Sequence, residues 1–79
     1  MRMLIHVDLI NSPDAVAKMM LTVKQGGLSI EMMNFNSVDE GRKLSASLIL
    51  LGPEEKGQWL AKKLLNFPYF HTTKLVKLD

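Results

Sequence analysis

Residues 3–14 read MLIHVDLINSPD. In the first eight, Met3, Ile5, Val7 and Leu9 alternate with Leu4, His6, Asp8 and Ile10, the period of two that marks a strand. Apolar residues stand on both faces, which predicts a central strand. Asn11-Ser12-Pro13-Asp14 then turns the chain into a helix. Ser12 can cap the first turn, Pro13 fits the first helical position, and Asp14 lies at the positive end of the helix dipole.

Working outward, Val16, Met19, Met20 and Val23 form the apolar stripe of that helix, and Gly26-Gly27 ends it. Leu28 to Phe35 reads as a second strand, with Leu28, Ile30 and Met32 facing inward and Ser29, Glu31 and Met33 on the other side. Asn36 to Arg42 is a polar turn. Lys43 to Leu51 is a third strand, with Leu44, Ala46, Leu48 and Leu50 opposite Ser45, Ser47, Ile49 and Leu51, so the pair reads as a hairpin. Gly52-Pro53-Glu54-Glu55 opens a second helix with the proline in its first turn. Its buried stripe is Gly57, Leu60, Ala61 and Leu64, and Pro68 stops it. His71 to Leu78 supplies a last strand.

The order βαββαβ predicts an α+β, ferredoxin-like sandwich over a single domain, residues 1–79. Right-handed crossovers put both helices on one face of a four-stranded antiparallel sheet, with the first and third strands central. The other face is expected to carry His6, Ser45, Ser47, Ile49 and Met33, a mixed surface that meets another chain.

Composition narrows the function. Seventy-nine residues make a small core that gains from a partner. The absence of cysteine removes disulfides, thiolate metal sites and a cysteine nucleophile. Ten basic against eight acidic side chains, a net +2, are too balanced for a dedicated nucleic-acid binder. The central strands also lack the aromatics on which bases stack. The longest apolar run, Leu48 to Leu51, is too short to span a membrane, and the expected compartment is the cytoplasm.

Candidate chemistry is sparse. His6 and Asp8, two apart on one strand, can form an acid/base or metal pair. No third ligand has suitable spacing, so a plain surface pair is preferred and no metal site is expected. The serines lack a nucleophile elbow, and Gly26-Gly27 follows a helix where a phosphate loop would precede one. Trp59, at the border of its helical stripe, reads as half-buried packing or as a partner anchor. No nucleophile, base and oxyanion donors converge, so no turnover is expected.

The chain resembles an ACT domain, the small regulatory module of amino-acid metabolism. Asn11-Ser12-Pro13-Asp14 matches the family's Asn-x-Pro-Gly corner, and Gly27-Leu28-Ser29-Ile30-Glu31 matches its Gly-aromatic-Asn-Ile-Glu stretch. Within the family it is most similar to acetolactate synthase small subunits, on Met32-Met33-Asn34-Phe35 and Leu64-Leu65-Asn66-Phe67, and to their valine-insensitive type in having Asp14 where the corner glycine would stand. The resemblance implies a non-catalytic subunit that activates a large thiamine-diphosphate-dependent enzyme of branched-chain amino-acid synthesis. Thiamine diphosphate, magnesium and FAD would belong to that large subunit, with no cofactor in this chain. A free-standing amino-acid sensor and a small ferredoxin-like enzyme are the alternatives.

By the same resemblance, an effector amino acid would lie between two such domains. It would meet Asn11, Ser12, the Pro13-Asp14-Ala15 backbone, and Ser29. Asp14 stands where the family has glycine, and Ser29 where it has asparagine. A carboxylate facing the effector's own carboxylate repels it by ~1 kcal/mol at ~4 Å in water, so weak or absent valine binding is expected. A homodimer through the edge strand at Leu28, Ile30, Met32 and Asn34 is expected, with Trp59, Ser45, Ser47 and Ile49 meeting the large subunit.

Overall fold

The computed structural model describes Met1–Asp79. Its elements are β1 (Arg2–Ile10), α1 (Pro13–Gln25), β2 (Ser29–Val38), β3 (Lys43–Leu51), α2 (Glu54–Leu64) and β4 (Phe70–Lys77). A short 3-10 turn, Asp39–Gly41, joins β2 to β3. The four strands form one antiparallel sheet in the order β2-β3-β1-β4, so β1 and β3 are central as expected. Together with the two helices, this is the βαββαβ ferredoxin-like arrangement.

The alternation in β1 and β3 decides what is buried. Met3, Ile5, Val7 and Leu9 meet Leu50, Leu48, Ala46 and Leu44 across the ladder. All but half-buried Leu44 are fully enclosed, and Leu60 and Leu64 of α2 and Met19 and Val23 of α1 join the same core. At α1 the expected caps hold. Ser12 has an extended backbone, its hydroxyl accepts from the Asp14 amide at 3.1 Å, and Pro13 opens the helix. The α1 stripe is rotated from expectation. Ala15 and Thr22 are buried with Met19 and Val23, while Val16 and Met20 are half-buried. Thr22 enters the core because its hydroxyl donates to the Lys18 carbonyl at 2.7 Å, leaving no unpaired polar atom.

In β2 the expectation fails, and for an identifiable reason. The ladder pairs Ile30 with Leu50 and Met32 with Ile49, so Glu31 is an extra residue, a β-bulge. One extra residue exchanges the two faces of everything beyond it. Met33, expected on the open face, stands opposite core Leu48, and Met32, expected inward, stands opposite Ile49 on the open face. The strand also begins one residue later than expected and runs to Val38. Leu28 precedes it and is buried against Gly52, whose φ of +154° and whose contact with the Leu28 side chain both call for glycine.

The remaining differences are small. Pro53 sits just ahead of α2 as its cap residue, and β4 starts at Phe70 with a bulge at His71.

Candidate functional site: the β1–α1 corner and the open sheet face

At the corner, the polar groups are largely engaged within the chain. The Asn11 amide N–H donates to the Arg42 carbonyl at 3.0 Å, and its side-chain Nδ2 donates to the Gly41 carbonyl at 2.8 Å. Asn11 therefore ties the end of β1 to the tip of the β2–β3 hairpin. That tip needs tying. Asp39 and Glu40 have φ of 53° and 57°, a left-handed conformation that costs an ordinary residue roughly 1–2 kcal/mol. Arg42 adds a second tie, its Nη2 bonding Asp39 Oδ1 at 2.9 Å. The Asp14 amide, one of those expected to receive an effector, is taken by the Ser12 hydroxyl. Pro13 and Asp14 are exposed, whereas Ala15 is buried in the core.

Ser29 is not near this corner. It pairs with Leu51, which pairs with Arg2, whereas Asn11 follows Ile10 at the other end of β1. Nine residues of strand separate the two ends, about 30 Å. Within one chain, Asn11 and Ser29 cannot hold the same small molecule.

The open face is ordered in rows across the strands. Met32, Ile49, Leu4 and Val76 form an apolar row spanning all four. Beside it lie Asn34, Ser47, His6 and Lys74, then Asn36, Ser45, Asp8 and Thr72. His6 is held at both ring nitrogens: Nδ1 lies 3.2 Å from Ser47 Oγ, and Nε2 lies 3.3 Å from Ser45 Oγ and 3.4 Å from Asp8 Oδ1. Thr72 Oγ1 donates to Asp8 Oδ2 at 2.6 Å. That bond, assisted by the adjacent imidazole, holds the Asp8 carboxyl below the ordinary carboxylate range, against a smaller opposing effect of burial. At one end, bulged Glu31 accepts from Arg2 Nη2 at 2.9 Å across β3.

Ser45, Ser47 and Ile49 share this face, but Trp59 does not. It is half-buried on α2, and its ring lies against Gly26, where a methyl would come within 2.9 Å of Cζ3. The expected partner-binding set is therefore split between opposite layers. Of the expected edge residues, Ile30, Met32 and Asn34 lie in β2, while buried Leu28 does not. The Asn11–Gly41 tie had no sequence signal beyond asparagine at a corner. The serine–histidine contacts follow once β1 and β3 are paired in register.

No protein-family model and no curated protein matches the sequence. Solved structures match its backbone closely. The ACT domain of the GTP pyrophosphokinase of Chlorobium tepidum superposes with a TM-score of 0.78 at 13% identity, over 95% of this chain and 96% of that one. An uncharacterized protein of Thermotoga maritima gives 0.79 at 15% identity, over 99% and 96%. A homoserine dehydrogenase of Thiobacillus denitrificans gives 0.76 at 15% identity, with all of this chain on 18% of the enzyme. These likenesses are of fold. No helix of the chain is long and apolar enough to cross a membrane.

Proposed function

We propose that this chain is a regulatory ACT module without chemistry of its own, working as the small subunit of an acetolactate synthase. The observation that carries the module reading is the end-to-end likeness to a separate ACT domain, which leaves almost nothing of either chain unmatched. The Met32-Met33-Asn34-Phe35 and Leu64-Leu65-Asn66-Phe67 runs favour the small-subunit type. In this reading, thiamine diphosphate, magnesium and FAD reside in the large subunit.

The working form is a homodimer paired along β2. Its outer edge carries ten residues without a neighbouring strand, and Ile30 and Met33 expose apolar side chains on the helix side of that edge. Antiparallel pairing of two β2 strands also carries Ser29 of one copy toward the corner of the other. An effector site therefore exists only across the pair. Asp14 and the internal bonds of Asn11 and Ser12 keep that site weak.

A regulatory subunit acts by binding the active conformation of its partner better than the inactive one. Tenfold activation needs only about 1.4 kcal/mol of such preference. The test is to mix the purified chain with the large synthase subunit of the same organism and measure acetolactate formation and co-migration on a sizing column. Activation with co-migration is expected. The absence of both effects would refute the subunit reading and leave the free-standing sensor.

A further inference from the structure

Away from the corner and the β2 edge, the open face assembles two metal-type donors, each with a support behind it. In the tautomer whose Nδ1–H donates to the Ser47 hydroxyl, Nε2 presents its lone pair toward Ser45 and Asp8, and an ion would enter in place of those contacts. Asp8 Oδ2 is held by Thr72, so that Oδ1 is the oxygen turned toward His6. Nε2 and Oδ1 are 3.4 Å apart. Two ligands bound at 2.0–2.1 Å in a tetrahedral sphere lie about 3.3 Å apart, so the pair already has the bite of a metal chelate. The Ser45 hydroxyl, 3.3 Å from Nε2, adds an oxygen on the same face. Both side chains are about two-fifths exposed (40% and 39%), so an ion can reach them from solvent without any opening of the fold.

We propose that His6 Nε2 and Asp8 Oδ1 form a two-point seat for a divalent first-row transition ion that accepts imidazole and carboxylate, zinc being the reference. Ser45 or water supplies a third donor. The outward position stays open to water or to a donor from a chain lying on the sheet. The His-x-Asp spacing allows this because alternate residues of a strand share a face. Their β3 partners, Ser45 and Ser47, come from the β1–β3 register. Two strong donors where structural sites have four make the seat a weak one. The inference stands independently of the small-subunit reading.

The test is a titration of the full chain with zinc chloride alone, at about pH 7.5. It is followed by calorimetry and by the nitrogen spectrum of the two imidazoles. One ion per chain is expected, with Kd below about 1 mM. The Nε2 resonance of His6 should move while those of His71 stay. His6→Gln should abolish uptake, Ser47→Ala should weaken it about tenfold as an outer support, and His71→Gln should leave it unchanged. Uptake that survives His6→Gln, falls with His71→Gln, or fails to saturate by about 1 mM overturns the proposal. If His6→Gln does not fold by thermal melting, the wild-type spectrum decides alone, because movement at Nδ1 instead of Nε2 is equally fatal.

Discussion

Replacing Gly57 by alanine sets two opposed effects against each other. In an exposed helix the change stabilises by about 1 kcal/mol, because glycine is the poorer helix former. Gly57, however, is buried at the face of α2 that lies on the sheet. A methyl there would sit 2.5 Å from Met3 Sδ, 3.2 Å from Met3 Cε and 3.3 Å from Leu75 Cδ2. Ordinary carbon contacts fall at about 3.5–4.0 Å, so the Met3 thioether must move by roughly 1 Å. Met3 is wholly enclosed, and a close-packed core offers no free space for that movement. Overpacking of this kind costs about 1–3 kcal/mol, which outweighs the propensity gain. Gly57→Ala is therefore expected to lose about 1 kcal/mol net, a fall of some 4–8 °C in Tm for a domain of this size. Removing the obstacle reverses the sign. In a Met3→Ala background, itself destabilised by about 2–5 kcal/mol, Gly57→Ala should gain about 1 kcal/mol. Thermal and urea unfolding of the four proteins, followed by far-ultraviolet circular dichroism, gives the cycle directly. Equal effects of Gly57→Ala in the two backgrounds, or stabilisation of the wild type, would refute the packing argument.

Glu40→Gly relieves a left-handed φ without touching a contact of the core, and should raise the unfolding free energy measured in urea by up to about 1 kcal/mol. Asn11→Ala removes the tie to Gly41 and should cost about 0.5–1.5 kcal/mol, with faster amide exchange confined to residues 39–42. Because the folded chain holds Asp8 below the ordinary carboxylate range, its contribution is present above about pH 4 and lost as the pH falls through its folded value. Thr72→Val should flatten that acid limb in urea midpoints measured between about pH 2 and 6, and an unchanged limb would remove Thr72 as the cause. Met33→Lys, exposed beside the β2 edge, should leave the melting curve of the monomer intact while shifting light scattering from dimer to monomer.

The central strands were legible because their buried positions recur at every second residue, Met3 to Leu9 and Ala46 to Leu50, and all of these are apolar. The caps of α1 were legible because they are local chemistry, a hydroxyl two residues from the amide it serves and a proline in the first turn. The faces of β2 beyond Ile30 were not. A bulge leaves the composition of a strand unchanged, and Met32 and Met33 are equally apolar on either face, so nothing in the pattern records the exchange. The corner misled in another way. Asn11 was read for what it can offer a ligand, but a hydrogen-bonding side chain goes first to the nearest unsatisfied carbonyl, here that of Gly41, brought close by the long-range β1–β3 pairing. The same pairing explains why His6, Ser45 and Ser47, some forty positions apart, had no visible relation in the sequence.

The two ends of the chain lie side by side, since the Leu78 amide donates to the Arg2 carbonyl at 2.9 Å and the Arg2 amide to Asp79 Oδ1 at 2.7 Å. This adjacency sets the order in which the molecule can assemble. The first strand must take its place between β3 and β4, both made later, and its neighbour on one side is the last strand of all. During synthesis β1 therefore waits with its apolar face unpaired, and helix formation, which is local and fast, precedes the closure of the sheet. Folding should then be limited by the docking of β4 rather than by any single helix, and a version of the chain with its ends joined by a short linker and reopened in the β2–β3 hairpin makes β4 and β1 the local pair and β2 and β3 the distant one, so closure of its sheet would wait on β2 instead.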